Sequence, residues 1–293
     1  MALEDTLKSW AKAPGQVELD KCDNAVNAVR KAINASSALS KRTTKVFAQG
    51  SYCNRTNVRE DSDVDVCVLS SDTLMCDYPT GMSGNDFGLT QPANYPYETF
   101  KNDVEAALRA YFKNGHVTRG NKAFDIKENT YRIAADVVPC FEHRRYRKNG
   151  TWLTGTAFNP DNAWRIVNWP DQNYNNGMSK NDATGGRFKD VVRILKRLRY
   201  KLCQDKVVAA DPISSFMVEC LVWNAPNYAF GHDTYTSDVR ETLANLFNDT
   251  IKMETCEEWG EINELKYIFK GMPLKMTEAH AFISAAWDYW GFQ

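Results

Sequence analysis

The feature that most restricts the fold of this chain is a strand-like segment that begins among crowded carboxylates. Four of the six residues at 60–65 are acidic: Glu60, Asp61, Asp63 and Asp65. Like charges at this spacing repel each other, and burying them unpaired is expensive. Side chains alternate along a strand, so Asp63 and Asp65 project from one face while the valines between and after them pack inward. The pattern predicts a strand over residues 63–70 and a cation beside it.

A further aspartate and a glycine turn extend this site. Two parallel carboxylates suit Mg²⁺, which accepts one or two such ligands together with phosphate oxygens. Asp136 stands alone in the apolar segment IAADVVP, where it would be costly unless it faces the same cation. Gly50 permits a tight turn whose N–H groups, with the Ser51 hydroxyl, can form an anion-binding nest. Together these residues predict a site for a metal-bound nucleoside triphosphate.

Simpler interpretations of the same residues remain open at this point. Asp63 and Asp65 could be a solvated, acidic strand entrance, and Asp136 could form a salt bridge to a basic loop. The basic run at residues 143–148 is more typical of a solvated surface than of a nucleic-acid patch. The four histidines show no ligand spacing.

Composition narrows the class of protein. The 293 residues are 43% hydrophobic, and 36 Lys and Arg nearly balance 37 Asp and Glu, for a formal net charge of -1. This balance argues against a protein that coats nucleic acid or an anionic membrane. No apolar run approaches the ~20 residues of a membrane span, and the N-terminus lacks a secretory signal. Eight cysteines without a C-x-x-C pair indicate reduced thiols in a cytoplasmic protein.

Periodicity divides the chain near residue 185. Before this point, helical patterns at 17–35 and 99–112 alternate with strand patterns at 45–49, 63–70, 123–127 and 131–141. Residues 71–97 show no clear period and predict an insertion or lid. After residue 185, helical patterns dominate, at 188–202, 214–223, 237–247 and 277–290. We expect an α/β (α+β) fold with domains at 1–185 and 186–293 and a cleft between two lobes.

The motifs resemble those of a known superfamily. Gly50-Ser51, eleven intervening residues and Asp63-Val64-Asp65-Val66 resemble the signature of the DNA-polymerase-β-like nucleotidyltransferases. The longer string QGSYCNRTNVREDSDVDV, followed by Asp136, is similar to the bacterial cGAS/DncV-like nucleotidyltransferases (CD-NTases). The elements ADVVPC, VNWP, NYNNGMSKN and SSFMVECLVWNAP look most like clade E of that family. No G-x-x-x-x-G-K-[ST] motif is present, so a P-loop is not the phosphate cradle.

The resemblance implies a polymerase-β-like core with a mixed sheet, a helical C-terminal lobe and an active site in the cleft between them. It assigns Asp63, Asp65 and Asp136 to catalysis through two Mg²⁺ ions, with Mn²⁺ as a possible substitute. It also assigns seven residues to nucleotide binding: Gln49, Gly50, Ser51, Asn168, Lys196, Ser215 and Phe216. Among these, Lys196 and Ser215 would reach the triphosphate, Phe216 would stack on a base, and Asn168 would select pyrimidines. For Asn168 the alternative is a simple turn cap, and for Lys196 it is the solvated face of its helix.

The function implied is synthesis of a cyclic oligonucleotide second messenger from nucleoside triphosphates such as ATP and UTP. The expected product is cyclic UMP–AMP or cyclic di-UMP, released to a downstream effector in bacterial antiviral (CBASS-type) signalling. The enzyme is expected to act in the cytoplasm as a monomer, without nucleic acid or membrane. Two alternatives remain: a nucleotidyltransferase that adds tails to RNA or oligonucleotides, and an inactive nucleotide-binding module.

Overall fold

The computed structural model describes residues 3–58 and 63–292, apart from the side chain of Asn114. The described residues form two compact units. The sheet unit contains residues 15–53 and 63–171, and the helical unit contains residues 3–14, 54–58 and 172–292. Residues Glu60 and Asp61 of the acidic run lie outside the described residues. The division into domains at 1–185 and 186–293 stays a prediction.

The sheet unit is built on a mixed sheet. Its strands are β1 (Thr44–Gln49), β2 (Val64–Asp77), β3 (Val117–Arg119), β4 (Phe124–Ile126), β5 (Ala135–Tyr146), β6 (Trp152–Phe158) and β7 (Ile166–Asn168). The strand order is β1-β2-β5-β4-β3, and β6 pairs with both β5 and β7. β2 and β5 run parallel, and the other pairs are antiparallel. The expected α+β class with a mixed sheet is confirmed.

The helices follow the predicted order, with four additions. They are α1 (Leu3–Ala11), α2 (Gln16–Ala35), α3 (Gly50–Asn54), α4 (Tyr97–Phe112), α5 (Pro170–Ala183), α6 (Arg187–Gln204), α7 (Ser215–Asn224), α8 (Tyr235–Asp249), α9 (Met253–Cys256) and α10 (Pro273–Trp290). The sequence patterns did not predict α1, α3, α5 and α9. Of these, α1, α3 and α9 are short, and α5 is rich in asparagine, which has a low helix propensity. None of the helices described is long and apolar enough to cross a membrane.

The central strands are buried because helices cover one face of the sheet. Val64, Val66 and Val68 are fully buried. They share one core with apolar residues of α2 and α4, such as Val29 and Phe100. β-branched residues suit a buried parallel pair, which explains the apolar sequences of β2 and β5. The side chains between these valines therefore face away from the two helices.

Two expectations about this unit are wrong. β2 does not end at Ser70. It passes a register irregularity between Ser70 and Leu74 and continues to Asp77 beside β5, so residues 71–77 of the expected lid are strand. β5 likewise continues to Tyr146, and His143 in the basic run is fully buried rather than solvated. In both cases the partner strand supplies backbone hydrogen bonds that local sequence does not reveal.

The helical unit is organised around α6. The apolar side of α6, including Phe188, Val192 and Leu195, is fully buried together with Leu7 of α1. Glu4 fixes the start of α1 to α8. Its carboxylate accepts hydrogen bonds from the backbone N–H groups of Tyr235 and Thr236 at 3.1 and 2.9 Å and from the Thr236 hydroxyl at 2.7 Å. These contacts satisfy amides that the first turn of a helix leaves unpaired.

We expect Glu4→Gln to lower the free energy of unfolding by about 1 kcal/mol at neutral pH. Burial raises the pKa of Glu4, but the hydrogen bonds from Thr236 and Tyr235 lower it more, so the net shift is downward. A depressed folded-state pKa contributes stability above the unfolded-state pKa, and this stability is lost as pH falls through the folded-state pKa. Urea unfolding at neutral and acidic pH should therefore show a difference that shrinks in acid. The exposed neighbour Asp5, changed to Asn, provides the matched control; an equal loss in Asp5→Asn would contradict the capping role.

Candidate functional site

The glycine of the Gly-Ser pair is pressed against the second aspartate of the strand motif. β1 ends at Gln49, which pairs with Asp65 across the sheet. Gly50 follows with a φ of +67°, and a Cβ built there would collide with Asp65 Oδ2. Only glycine accommodates both the left-handed backbone and this approach. Sequence spacing predicted that the two motifs would meet, and the close approach of Gly50 to Asp65 shows the contact.

Ser51 continues into a short helix rather than an open turn. Gly50 begins α3, and Ser51 is its half-buried second residue. Gln49 is also half-buried, at the last position of β1. Gly50 and Ser51 therefore lie in the first turn of α3, and the anion-binding nest stays a prediction.

Three aspartates lie side by side across three strands. In the β2/β5 register Asp65 is opposite Asp136, and in the β5/β4 register Asp136 is opposite Asp125. Residues opposite each other on neighbouring strands share a face, about 5 Å apart. Asp63 precedes β2 by one residue and is exposed, whereas Asp65 and Asp136 are half-buried. The structure thus brings the three predicted carboxylates into one neighbourhood.

Asp125 is a member of this row that sequence reasoning missed. It lies between the buried residues Phe124 and Ile126 of the short strand β4, and its own side chain is exposed. A lone acid between apolar neighbours was the available signal, the same one that identified Asp136. Only the pairing of β4 with β5 shows that the two acids are neighbours.

The electrostatics of Asp136 reflect this crowding. Burial raises its pKa, and the negative charges of Asp63, Asp125 and Asp65 raise it further. The protonated carboxyl also donates a hydrogen bond to Asp125, and together these effects bring the pKa to about 7. The shift measures how strongly the site disfavours another negative charge when no cation is present. Asp136 forms no salt bridge with a Lys, Arg or His side chain in the part of the chain that the structure describes, so the salt-bridge alternative has no contact to support it.

The donor set fits a hard divalent cation. All the side chains in the row offer carboxylate oxygens, the ligands that Mg²⁺ prefers. No group of three or more His, Cys, Asp or Glu side chains in the described part of the chain is already arranged to hold a metal ion. The strand register places these carboxylates near one another. Their mutual repulsion raises the pKa of Asp136.

Asn168 lies at the end of β7, opposite Thr156 of β6. Its carboxamide is half-buried and makes no hydrogen bond to any residue that the structure describes, so the turn-cap alternative has no bond to support it. Its backbone position is tightly set. A Cβ built at Gly155 would lie 2.6 Å from the Asn168 carbonyl oxygen and 2.8 Å from the ring of Trp169.

The remaining predicted residues belong to the helical unit. Lys196 is 1% exposed, so the solvated-face alternative is wrong. Its ammonium group donates to the Thr56 carbonyl at 3.0 Å and forms an ion pair with Glu219. Ser215 is the half-buried first residue of α7, and Phe216 beside it is 40% exposed. A triphosphate contact by Lys196 stays a prediction, and the residue that competes for its charge is Glu219.

Comparison with known proteins supplies the family. Residues 175–291 match the family model of the cGAS/DncV-like nucleotidyltransferase C-terminal helical domain. A cyclic dipyrimidine nucleotide synthase of Cecembia lonarensis is 44% identical over 92% of this chain and 91% of its own length. One from Legionella pneumophila is 41% identical over 98% of this chain and 97% of its own.

A solved structure extends the likeness to the whole fold. The cyclic dinucleotide synthase of Elizabethkingia meningoseptica, determined with GTP and Apcpp, is 33% identical with a TM-score of 0.83, covering all of both chains. The likeness covers the sheet unit and the helical unit. The chain therefore belongs to the cGAS/DncV-like nucleotidyltransferases, and within them to the enzymes that synthesise cyclic nucleotides.

Proposed function

We propose that this enzyme joins nucleoside triphosphates into a uridine-containing cyclic dinucleotide and releases pyrophosphate. The observation that carries the proposal is the register that sets Asp65 beside Asp136, with Gly50 pressed against Asp65. The Elizabethkingia meningoseptica relative was determined with GTP and a triphosphate analogue, which supports triphosphates as substrates. Nucleotidyl transfer requires a triphosphate and an acceptor hydroxyl to be aligned, and a carboxylate row beside a glycine turn suits this task.

Asp63, Asp65 and Asp136 would hold two Mg²⁺ ions, or Mn²⁺ in their place. When bound, the ions supply charge neutralisation for the triphosphate and a lowered pKa for the acceptor hydroxyl. The chain's own groups orient the substrate. Because Gly50 has no side chain, its backbone packs directly against the Asp65 carboxylate. The Ser51 hydroxyl and the first N–H groups of α3 can donate to phosphate oxygens.

In the helical unit, Ser215 offers a hydroxyl at the start of α7, and the exposed ring of Phe216 offers a stacking surface for a base. Lys196 would bind the triphosphate only if its ammonium left Glu219. A linear dinucleotide would form first and then close in the same site. The product would act on an effector in bacterial antiviral defence, with the enzyme working as a monomer in the cytoplasm.

The base preference is proposed to depend on Asn168. Its carboxamide has both a donor and an acceptor, which complement the carbonyl and imide N–H of uracil. Neither is used by a hydrogen bond to the described residues. The names of the Cecembia lonarensis and Legionella pneumophila relatives specify dipyrimidine products, which favours cyclic di-UMP over cyclic UMP–AMP.

Asp65→Asn should abolish synthesis while leaving the protein folded. The change removes one ligand of the proposed ions, and it also removes one of the charges that raise the pKa of Asp136, so thermal stability should be unchanged or slightly higher. The measurement is product formation from all four nucleoside triphosphates with Mg²⁺, followed by mass spectrometry. Asp23→Asn, on the exposed side of α2, is the control. Near-normal turnover in Asp65→Asn would refute the two-ion assignment.

Asn168→Ser should relax base selection without stopping catalysis. Loss of a paired polar group costs about 1–3 kcal/mol, which corresponds to a fall of roughly 5- to 150-fold in the preference for UTP over ATP. Competition between the two triphosphates, read by mass spectrometry of the product, measures this ratio. Asn162→Ser, in the exposed loop before β7, should leave it unchanged. A wild-type enzyme that consumes only ATP and GTP would sink the uridine proposal.

The enzyme should work without added nucleic acid. The formal net charge of -1 provides no overall attraction for a polyanion. We expect turnover to change by less than about twofold on addition of duplex DNA, duplex RNA or single-stranded RNA. Initial rates at about 50 and about 200 mM salt make the comparison, because stimulation through a basic surface fades steeply over this range. Strong, salt-sensitive stimulation would instead identify a nucleic-acid sensor.

A further inference from the structure

The sheet unit contains a cavity of about 600 Å³ that the proposed reaction does not use. It lies between the last turns of α2, the end of α4 and the loop that leads into β5. Its size falls in the range of cavities that hold small-molecule ligands. Four cationic side chains line it: Arg30, Lys31, Lys113 and Arg132.

No carboxylate balances these charges. None of the residues that line the cavity is acidic, and none of the four cations forms an ion pair with a residue in the described ranges. Two helices end nearby, but the partial charge at each C-terminus is only about −0.5 of an elementary charge. Two such termini offset a small part of four full positive charges. The cavity is therefore strongly electropositive in a chain whose charges otherwise balance.

Among these four cations, Arg132 carries the charge that costs the most free energy to bury. Its side chain is 7% exposed, and its guanidinium group donates to the Lys127 carbonyl and lies 4.8 Å from the centre of the Phe112 ring. These are neutral partners, and burial lowers the pKa of the group. A buried cation with neutral partners only is unfavourable unless an anion joins it.

The cavity also offers flat rings and amides. Tyr131 is 68% exposed and Tyr111 is 44% exposed. Asn24 donates to the Tyr131 carbonyl at 3.0 Å, and the Asn129 carboxamide accepts from the Tyr131 amide at 2.9 Å, so the loop is held in place. Lys113 adopts a φ of +66°, a strained conformation of the kind found at ligand-binding turns. Exposed tyrosines can stack on a planar ring while the cations bind its phosphates.

The cavity is separate from the carboxylate row. α2 and α4 pack on the face of the sheet that carries Val64 and Val66, whereas Asp65 projects from the other face. The cavity is still connected to the sheet. Arg30 donates one hydrogen bond to the Val46 carbonyl in β1 at 3.0 Å, and Arg132 precedes Asp136 by four residues in the chain.

We propose that this cavity is a second nucleotide-binding site, in which the cations bind phosphate groups and a tyrosine ring stacks on the base. It needs no divalent ion, because its own charges are positive. The carboxylate row, in contrast, needs an ion to bind a triphosphate. Binding measured without divalent ions therefore reports on the cavity and not on the carboxylate row.

Isothermal titration calorimetry of the full chain with ATP and with UTP, in EDTA, tests the proposal. We expect one site per chain in the wild type and in Asp65→Asn. The double variant Lys31→Glu with Lys113→Glu should weaken binding by at least roughly 30-fold, because two attractions become repulsions. Both lysines are exposed, and their side chains make no hydrogen bond to a residue that the structure describes, so the fold should persist, as circular dichroism can verify. Lys148→Glu, in the exposed turn between β5 and β6, is the control.

A tyrosine variant and two further probes test the ligand class. Tyr131→Ala should weaken nucleotide binding and leave the binding of inorganic tripolyphosphate unchanged. Tripolyphosphate binding as tight as ATP binding would overturn the role of the base. Loss of binding in Asp65→Asn, no effect of the double variant, or no heat with about 5 mM nucleotide would each overturn the site. Much tighter binding of a single-stranded RNA, with a steep salt dependence, would replace it with a nucleic-acid interface.

Discussion

The parallel pairing of β2 with β5 is the constraint on which the candidate site depends. It sets Asp65 opposite Asp136 and carries the row on to Asp125 through β4. A shift of one residue in this register would turn Asp136 toward the helices and a valine toward the acids. The buried valines on the other face prevent that shift, because each would lose its place in the core. The apolar core thus holds mutually repelling carboxylates together, and their crowding appears as the raised pKa of Asp136.

Charge is distributed unevenly within the sheet unit. One face of the sheet carries an acidic row, and the helices on the other face border a cavity lined by four cations. The formal net charge of -1 conceals both. A cation at the row, or an anion in the cavity, would relieve the repulsion within each group of like charges. Strands and helices already hold both groups in place, so neither ligand would require a new fold.

In the helical unit, a buried charge is balanced by a residue of the same unit. Lys196 and Glu219 are both almost fully buried, and Thr56 donates to the same Glu219 oxygen at 2.7 Å. Breaking a buried pair by removing one partner leaves an uncompensated charge, so each residue requires the other. An incoming triphosphate would have to compete with Glu219 for the Lys196 ammonium. Lys196 therefore has a structural partner already, which neither the helix pattern nor the family motif indicates.

Local pattern determined much of this protein. Short stretches of sequence predict the periodicity of α2, α4 and α6, the strand that ends just before Gly50, the strand that carries Asp65, and the three-aspartate set. They do so because side-chain spacing along a helix or strand is a local property. Tertiary structure alone decided three other features: the extension of β2 to Asp77, the place of Asp125 in the row, and the partner of Lys196. Each depends on a strand or helix that is distant in sequence. Hydrogen bonds and ion pairs of that kind form only when the chain has folded, and no local pattern encodes them.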